Sequence, residues 1–357
     1  MANIFDYLND VAYDSFYDLP VNELDVLALT ELTYLAFDGV VTQEPQRLID
    51  LAAQIPRDTT MLTSKNRLQL LDQLAQHKRF KNCKLSNFIN DIDPELQKQF
   101  AAMTYRISLD TYLLVFRGTD DSIIGWKEDF HMTYMKEIPA QKHALQYLKD
   151  FFAQHPNQKV ILAGHSKGGN LAVYAASQLD PLLQKNIVAV YTFDAPGLHK
   201  ELTKTAGYQN MMERTKVFVP QGSIIGMMLE IPDKKIVVRS TALGGIAQHD
   251  TFSWQVEDKH FVQLDETNSD SQQVDTTFKE WVETVPDEEL QLYFDLFFGI
   301  ILDAGISSIN DLSSFKVIEH IHHLFVQAQS LTPEERETMG RLTQLLIDTR
   351  YQAWKNR

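Results

Sequence analysis

The stretch ILAGHSKGGN, residues 161 to 170, restricts the fold of this chain more than any other. An apolar, strand-like run ends at Gly164, and Gly168 and Gly169 open the segment that follows. A strand that enters a helix through a very tight turn needs glycines there, because a side chain would collide with neighbouring backbone. Such a turn also holds one residue at its apex with its side chain outward, and here that residue is Ser166. The stretch therefore reads as a nucleophile elbow, with a purely structural turn as the alternative.

The flanking pattern supplies the strand and the helix that an elbow requires. From about residue 98, QFAAMTYRISLDTYLLVFRG reads as two strands joined by a polar turn at Ser108-Leu109-Asp110. HALQYLKDFFAQH (143–155) has Leu145, Leu148 and Phe152 at helical spacing, and KVILAGHS (159–166) is again a strand. Strand, helix and strand in that order predict a parallel crossover. After Ser166, GGNLAVYAASQL predicts a helix of small residues that ends before Asp180-Pro181. VAVYTFD (188–194), TKVFVPQ (215–221) and KKIVVRST (234–241) are short and β-branched, as strands buried on both faces should be.

Ahead of the sheet, ELDVLALTELTYLAF (23–37) places leucines along one face of a helix. Beyond about residue 275 the strands stop. FKEWVETVPDEELQLYFDLFFGIIL and the segments after Asn310 and Pro333 read as helices, and the polar stretch at 265–275 reads as a linker. The expected organisation is a mostly parallel central sheet with helices on both faces over residues 1–264, followed by a helical C-terminal subdomain over 275–357.

Charge and composition narrow the function. With 33 basic against 48 acidic residues, net −15, the chain would repel a phosphate backbone, so nucleic acid is excluded as a partner. Cys83 is the single cysteine, which excludes an internal disulfide and a cysteine-rich metal site. The opening residues lack the basic and apolar regions of a secretion signal, so the expected location is the cytoplasm. LYFDLFFGIILDAG (292–305) is short for a membrane span and carries Asp295 and Asp303, so it reads as a core helix.

A serine hydroxyl at its ordinary pKa is a poor nucleophile and needs a histidine to take its proton. Of eleven histidines, His249 is best placed, in the glycine-containing loop after the strand KKIVVRST. His260 lies in a later charged segment, and His165, inside the elbow, should point away from the hydroxyl. The histidine needs a carboxylate to set its tautomer. In many sheets of this kind the acid follows the second strand after the nucleophile, but that slot holds Gln221, Gly222 and Ser223. Asp194 ends the preceding strand, with Pro196 and Gly197 to turn the chain, and is the favoured acid; Asp250 and Asp233 are the alternatives. The Lys167 amide, next to the nucleophile, and the Thr119 amide, in the loop after LLVFRG, are the expected oxyanion donors. SIIGMMLEIP (223–232) reads as an apolar groove or cover beside the site, with ordinary core packing as the alternative. This chemistry requires neither metal nor cofactor.

VFRGT, Trp126 and Asp129 in GWKEDF, then GHSKGGN and YTFDAPG, resemble the fungal-type (class 3) lipases of the α/β-hydrolase fold, and more closely a bacterial lipase-like branch of that superfamily. The resemblance spans about residues 20–260. It implies hydrolysis of a small-molecule or lipid ester, with Ser166 and His249 as nucleophile and base, the Thr119 and Lys167 amides as oxyanion hole, and transient contact with a membrane surface. Those lipases carry their acid where this chain has Ser223, and a glycine where it has Asp194; an acid at the earlier strand resembles pancreatic-type lipases instead. A hydrolase fold serving only as a binding scaffold, or one acting on acyl thioesters or acyl-proteins, are the competing functions.

Overall fold

The computed structural model describes residues 1–59, 63–120, 123–232, 234–306 and 327–355. Its sheet has nine strands: β1 (Gln46–Arg47), β2 (Lys84–Asp93), β3 (Lys98–Arg106), β4 (Thr111–Phe116), β5 (Lys159–His165), β6 (Ile187–Phe193), β7 (Thr215–Pro220), β8 (Lys235–Val238) and, at the far edge, β11 (Gln263–Leu264). Strands β9 (Val256–Glu257) and β10 (His260–Phe261) pair separately. From β1 to β4 neighbours are antiparallel, from β4 to β8 they are parallel, and β11 closes the sheet antiparallel to β8.

The helices are α1 (Ile4–Asp10), α2 (Glu23–Leu32), α3 (Leu48–Leu51), α4 (Ser64–Gln76), α5 (Ile123–His131), α6 (Pro139–Gln154), α7 (Lys167–Gln178), α8 (Pro181–Gln184), α9 (Lys200–Thr203), α10 (Ala206–Met212), α11 (Ser269–Thr284), α12 (Asp287–Asp303) and α13 (Pro333–Lys355). Strands β4, β5, β6 and β7 are joined in turn through helices. This is the α/β-hydrolase fold expected from the sequence.

The period-two alternation of the strands divides the core between two faces. Leu113, Val115, Ile161 and Ala163 pack with α1, α2 and α4, while Tyr112, Leu114, Phe116, Val160 and Leu162 pack with α6 and α7. Because both faces are covered, β4 and β5 are apolar at successive positions, which is why they read as uninterrupted runs.

Two expectations are corrected. Helix α2, expected to pack through a face of leucines, is buried at all ten positions, its acidic residues included. They are neutralised within the core: Asp25 by Arg79 at 2.5 Å and Glu31 by Arg67 at 3.0 Å. The stretch at 265–275 is also less open than a linker. Asn268 accepts the Ser271 amide and thereby caps α11, while Ser271 and Gln273 are buried.

The C-terminal helices pack onto α5. Phe130 of α5 lies 4.8 Å from Phe294 and 5.6 Å from Phe298 of α12, ring centre to ring centre. Lys127 joins Asp295 at 2.6 Å. Pro286 separates α11 from α12, and the apolar stretch at 292–305 falls mostly within α12, with Phe294, Phe298 and Ile301 buried. Among the described residues no helix is long and apolar enough to cross a membrane. The segment after Asn310 and the alternative acid Asp233 lie outside the described residues.

Candidate active site

Ser166 stands between the last residue of β5 and the first of α7, with φ +56° and ψ −136°. A non-glycine residue at positive φ is strained and persists only where its surroundings determine it. Here the Ser166 amide donates to the Phe193 carbonyl at 2.9 Å, and the glycines leave the turn no slack. A Cβ at Gly164 would stand 2.1 Å from the Gly168 carbonyl carbon, and one at Gly168 would stand 2.0 Å from the Phe116 carbonyl oxygen. Both positions therefore exclude any other residue while the elbow keeps this shape.

Asp194 occupies the matching place on the next strand. His165 and Phe193 are register partners across β5 and β6, so Ser166 and Asp194 follow as neighbours beyond the sheet's carboxyl edge. Asp194 also has positive φ, +44°, and its carboxylate is fully buried. Its two oxygens have separate partners. Oδ2 lies 2.6 Å from His249 Nδ1, while Oδ1 accepts the Ser223 hydroxyl at 2.5 Å and the Gly226 amide at 3.1 Å. The slot that holds no acid thus supplies a hydroxyl that fixes the acid from one strand away. Because the carboxylate can only accept, it keeps a proton on His249 Nδ1 and leaves Nε2 as the basic nitrogen.

The histidine loop is pinned around His249. Trp254 donates its indole N–H to the Gln248 carbonyl at 2.8 Å, the Gln248 amide oxygen accepts the Gly222 N–H at 2.7 Å, and His165 Nε2 meets the His249 carbonyl at 3.0 Å. The rings of His165 and His249 are 4.4 Å apart, centre to centre. Among the described residues Ser166 Oγ makes no hydrogen bond to His249; in unliganded sites such bonds are often long and tighten only with substrate.

On the other side of the elbow, Thr119 donates its hydroxyl to Asp129 Oδ2 at 2.5 Å. Asp129 Oδ1 lies 3.5 Å from the ammonium of Lys167, which donates to Glu128 Oε2 at 2.8 Å. Burial raises the Asp129 carboxyl to about 6 against the pull of Lys167. For Lys167 burial opposes the charge, yet Glu128 and Asp129 together hold its pKa above the ordinary lysine value. Lys167 thus contributes twice. Its backbone opens α7, where the first N–H groups have no intrahelical acceptor, and its side chain ties α7 to α5 and so to Thr119.

The competing residues are placed elsewhere. Asp250 caps the next turn by accepting the Phe252 amide at 3.1 Å. His260 pairs with Glu23 at 2.7 Å near β10. His165 turns its two ring nitrogens to Tyr34 Oη and the His249 carbonyl. In the segment 223–232, Met227 is buried and Met228 half-buried. Sequence reasoning missed Ser223, Gly226, Glu128, Gln248 and Tyr34, none of which carries a local motif. Among the described residues no group of three or more His, Cys, Asp or Glu side chains could hold a metal ion.

A family profile described as Mbeg1-like matches residues 74–299. No curated protein matches the chain at a significant level. Among solved structures the chain is similar to M37 lipase, with 16% identity, 58% of this chain and 70% of that one covered, and a TM-score of 0.38. It is similar to the Rhizomucor miehei lipase propeptide complex, with 16% identity, 51% and 68% covered and a TM-score of 0.33. For a mono- and diacylglycerol lipase from Aspergillus oryzae the values are 16%, 69%, 87% and 0.41.

Proposed function

The chain belongs to the Mbeg1-like family, and from that premise we propose that it is a serine hydrolase that cleaves carboxylic esters through an acyl-enzyme on Ser166. The observation that carries this reading is the 2.6 Å contact of Asp194 with His249 Nδ1, beside a serine held at positive φ. In the proposed reaction His249 Nε2 takes the Ser166 proton as Oγ attacks the ester carbonyl carbon. The developing oxyanion receives the Lys167 and Thr119 amides, and the imidazolium returns its proton to the leaving alkoxide. Water, deprotonated by the same ring, then releases the carboxylic acid and restores Ser166.

The scaffold alternative drew on the missing acid after β7, and the Asp194 contact argues against it. Thioester or acyl-protein hydrolysis would use the same groups and differs only in substrate. A lipid or small-molecule ester is the proposed substrate class, and the cytoplasm the proposed location. Leu243 and Ile246, 94% and 74% exposed in the loop that leads to His249, support transient contact with a lipid surface. The test is hydrolysis of p-nitrophenyl esters of graded acyl length by wild type and by Ser166→Ala. Wild-type turnover that the variant loses by several orders of magnitude is expected. A folded Ser166→Ala protein with most of the activity would overturn the proposal.

A further inference from the structure

Three buried groups meet behind His249 that the reaction itself does not consume. The Gly118 amide donates to Tyr34 Oη at 3.1 Å, Tyr34 Oη lies 3.1 Å from His165 Nδ1, and His165 Nε2 lies 3.0 Å from the His249 carbonyl oxygen. A carbonyl oxygen can only accept, so Nε2 of His165 carries a proton. Burial, reinforced by the neighbouring His249, holds the His165 pKa well below the ordinary histidine value, so the ring is neutral and Nδ1 is a lone pair. Tyr34 Oη, 3.1 Å from Nδ1, then donates there in preference to the His165 carbonyl oxygen at 3.4 Å, and its own oxygen is left to accept the Gly118 N–H. The three bonds run in one direction. With the other His165 tautomer, two lone pairs would face each other across 3.0 Å.

A second hold comes from the same helical segment. Glu31, buried at the end of α2, accepts the Thr251 hydroxyl at 2.9 Å on one oxygen and the Arg67 guanidinium at 3.0 Å on the other. Its first oxygen also lies 3.5 Å from His165 Nδ1, farther than Tyr34 Oη at 3.1 Å. The loop from His249 to Thr251 is therefore anchored at two points. Tyr34, Glu31 and Arg67 all precede residue 74, where the family match begins.

We infer that Tyr34 and His165 are positioning residues: a buried relay in which the N-terminal helical segment holds the loop of His249 in register with the Gly118-Thr119 loop across the elbow. The inference rests on the esterase reading for its kinetic consequence. The relay carries no net charge, so it sets distance rather than proton affinity. A misplacement near 1 Å can cost up to about 10²-fold in turnover.

The test uses Tyr34→Phe, which keeps the ring beneath Arg67, whose guanidinium carbon is 3.9 Å from the ring centre. Nitrogen-15 spectra of the wild-type histidines should show His165 protonated on Nε2 only. In Tyr34→Phe that preference should weaken, and kcat for a soluble p-nitrophenyl ester should fall by roughly ten- to a hundredfold with KM nearly constant. His165→Gln, whose amide nitrogen can reach the His249 carbonyl, should recover much of the kcat lost in His165→Ala. A wild-type His165 protonated on Nδ1, or an active enzyme indifferent to Tyr34→Phe, overturns the relay. A wild type without ester turnover would instead sink the esterase reading, and the relay would stand or fall on the His165 tautomer and its response to Tyr34→Phe.

Discussion

Replacing Asp194 by asparagine separates charge from shape, and the geometry dictates which way the new amide must lie. Gly226 can only donate to the position of Oδ1, at 3.1 Å, so the amide oxygen has to remain there. The NH2 group then takes the place of Oδ2, 2.6 Å from His249 Nδ1. A donor at that place turns Nδ1 into an acceptor and moves the ring proton to Nε2, the nitrogen that should receive the serine proton. The variant is held in the wrong tautomer by its own scaffold. Asparagine tolerates positive φ, so the strained backbone at +44° remains accessible and the fold should persist. In a related triad the same change lowers kcat about 10⁴-fold, which corresponds to about 5.4 kcal/mol in the barrier at about 1.36 kcal/mol per decade. The assay is steady-state hydrolysis of a soluble p-nitrophenyl ester, with thermal unfolding as the check on folding. A folded Asp194→Asn protein within tenfold of wild type would refute the assignment of the acid.

Two further predictions concern the surroundings of the elbow. Lys167→Met should leave Glu128 and Asp129 buried without their cation and destabilise the fold by about 3–5 kcal/mol near neutral pH. The deficit should shrink on acidification. Lys167 itself draws the Asp129 pKa down, so without it the carboxyl, already raised by burial to about 6, rises further; the variant takes up this proton at a higher pH than wild type does, and the deficit is largest above that pH and shrinks as pH falls towards 6. Urea unfolding between pH 8 and pH 5 measures this, and a deficit independent of pH would count against the buried ion pair. Leu243→Ser combined with Ile246→Ser should lower turnover of emulsified long-chain ester by at least roughly tenfold, since full burial of each side chain is worth about 1.5–3 kcal/mol. Turnover of a soluble short-chain ester should stay unchanged, and equal losses on both substrates would argue against a lipid-facing loop.

What could be read from the sequence was local. Gly164, Ser166 and Gly168 mark the elbow because the clashes they avoid lie between residues close in the chain or on the adjacent β4. The parallel strands were legible because burial on both faces leaves continuous apolar runs. Asp194 could be read from its place at a strand end, which register converts into proximity to Ser166. Tyr34 and Glu31 could not be found this way. They sit at the end of a segment whose leucines dominate its pattern, and their partners His165 and Thr251 are more than a hundred residues away. The buried Lys167 reads as a surface residue until α5 folds back to supply Glu128 and Asp129. Strand β2 was missed because much of its polar sequence, KLSNFINDID, is only partly buried and its burial does not alternate regularly.

The central claim is that Ser166 is an activated nucleophile, and covalent capture tests it most directly. Wild-type protein treated with a fluorophosphonate, then digested and analysed by mass spectrometry, should carry one phosphonyl adduct on the peptide containing Ser166. Labelling should vanish in Ser166→Ala and slow sharply in His249→Ala, because the hydroxyl attacks only when its proton is taken. A folded wild-type protein that remains unlabelled under conditions that label a known serine hydrolase, or one labelled equally well without Ser166, would contradict the account.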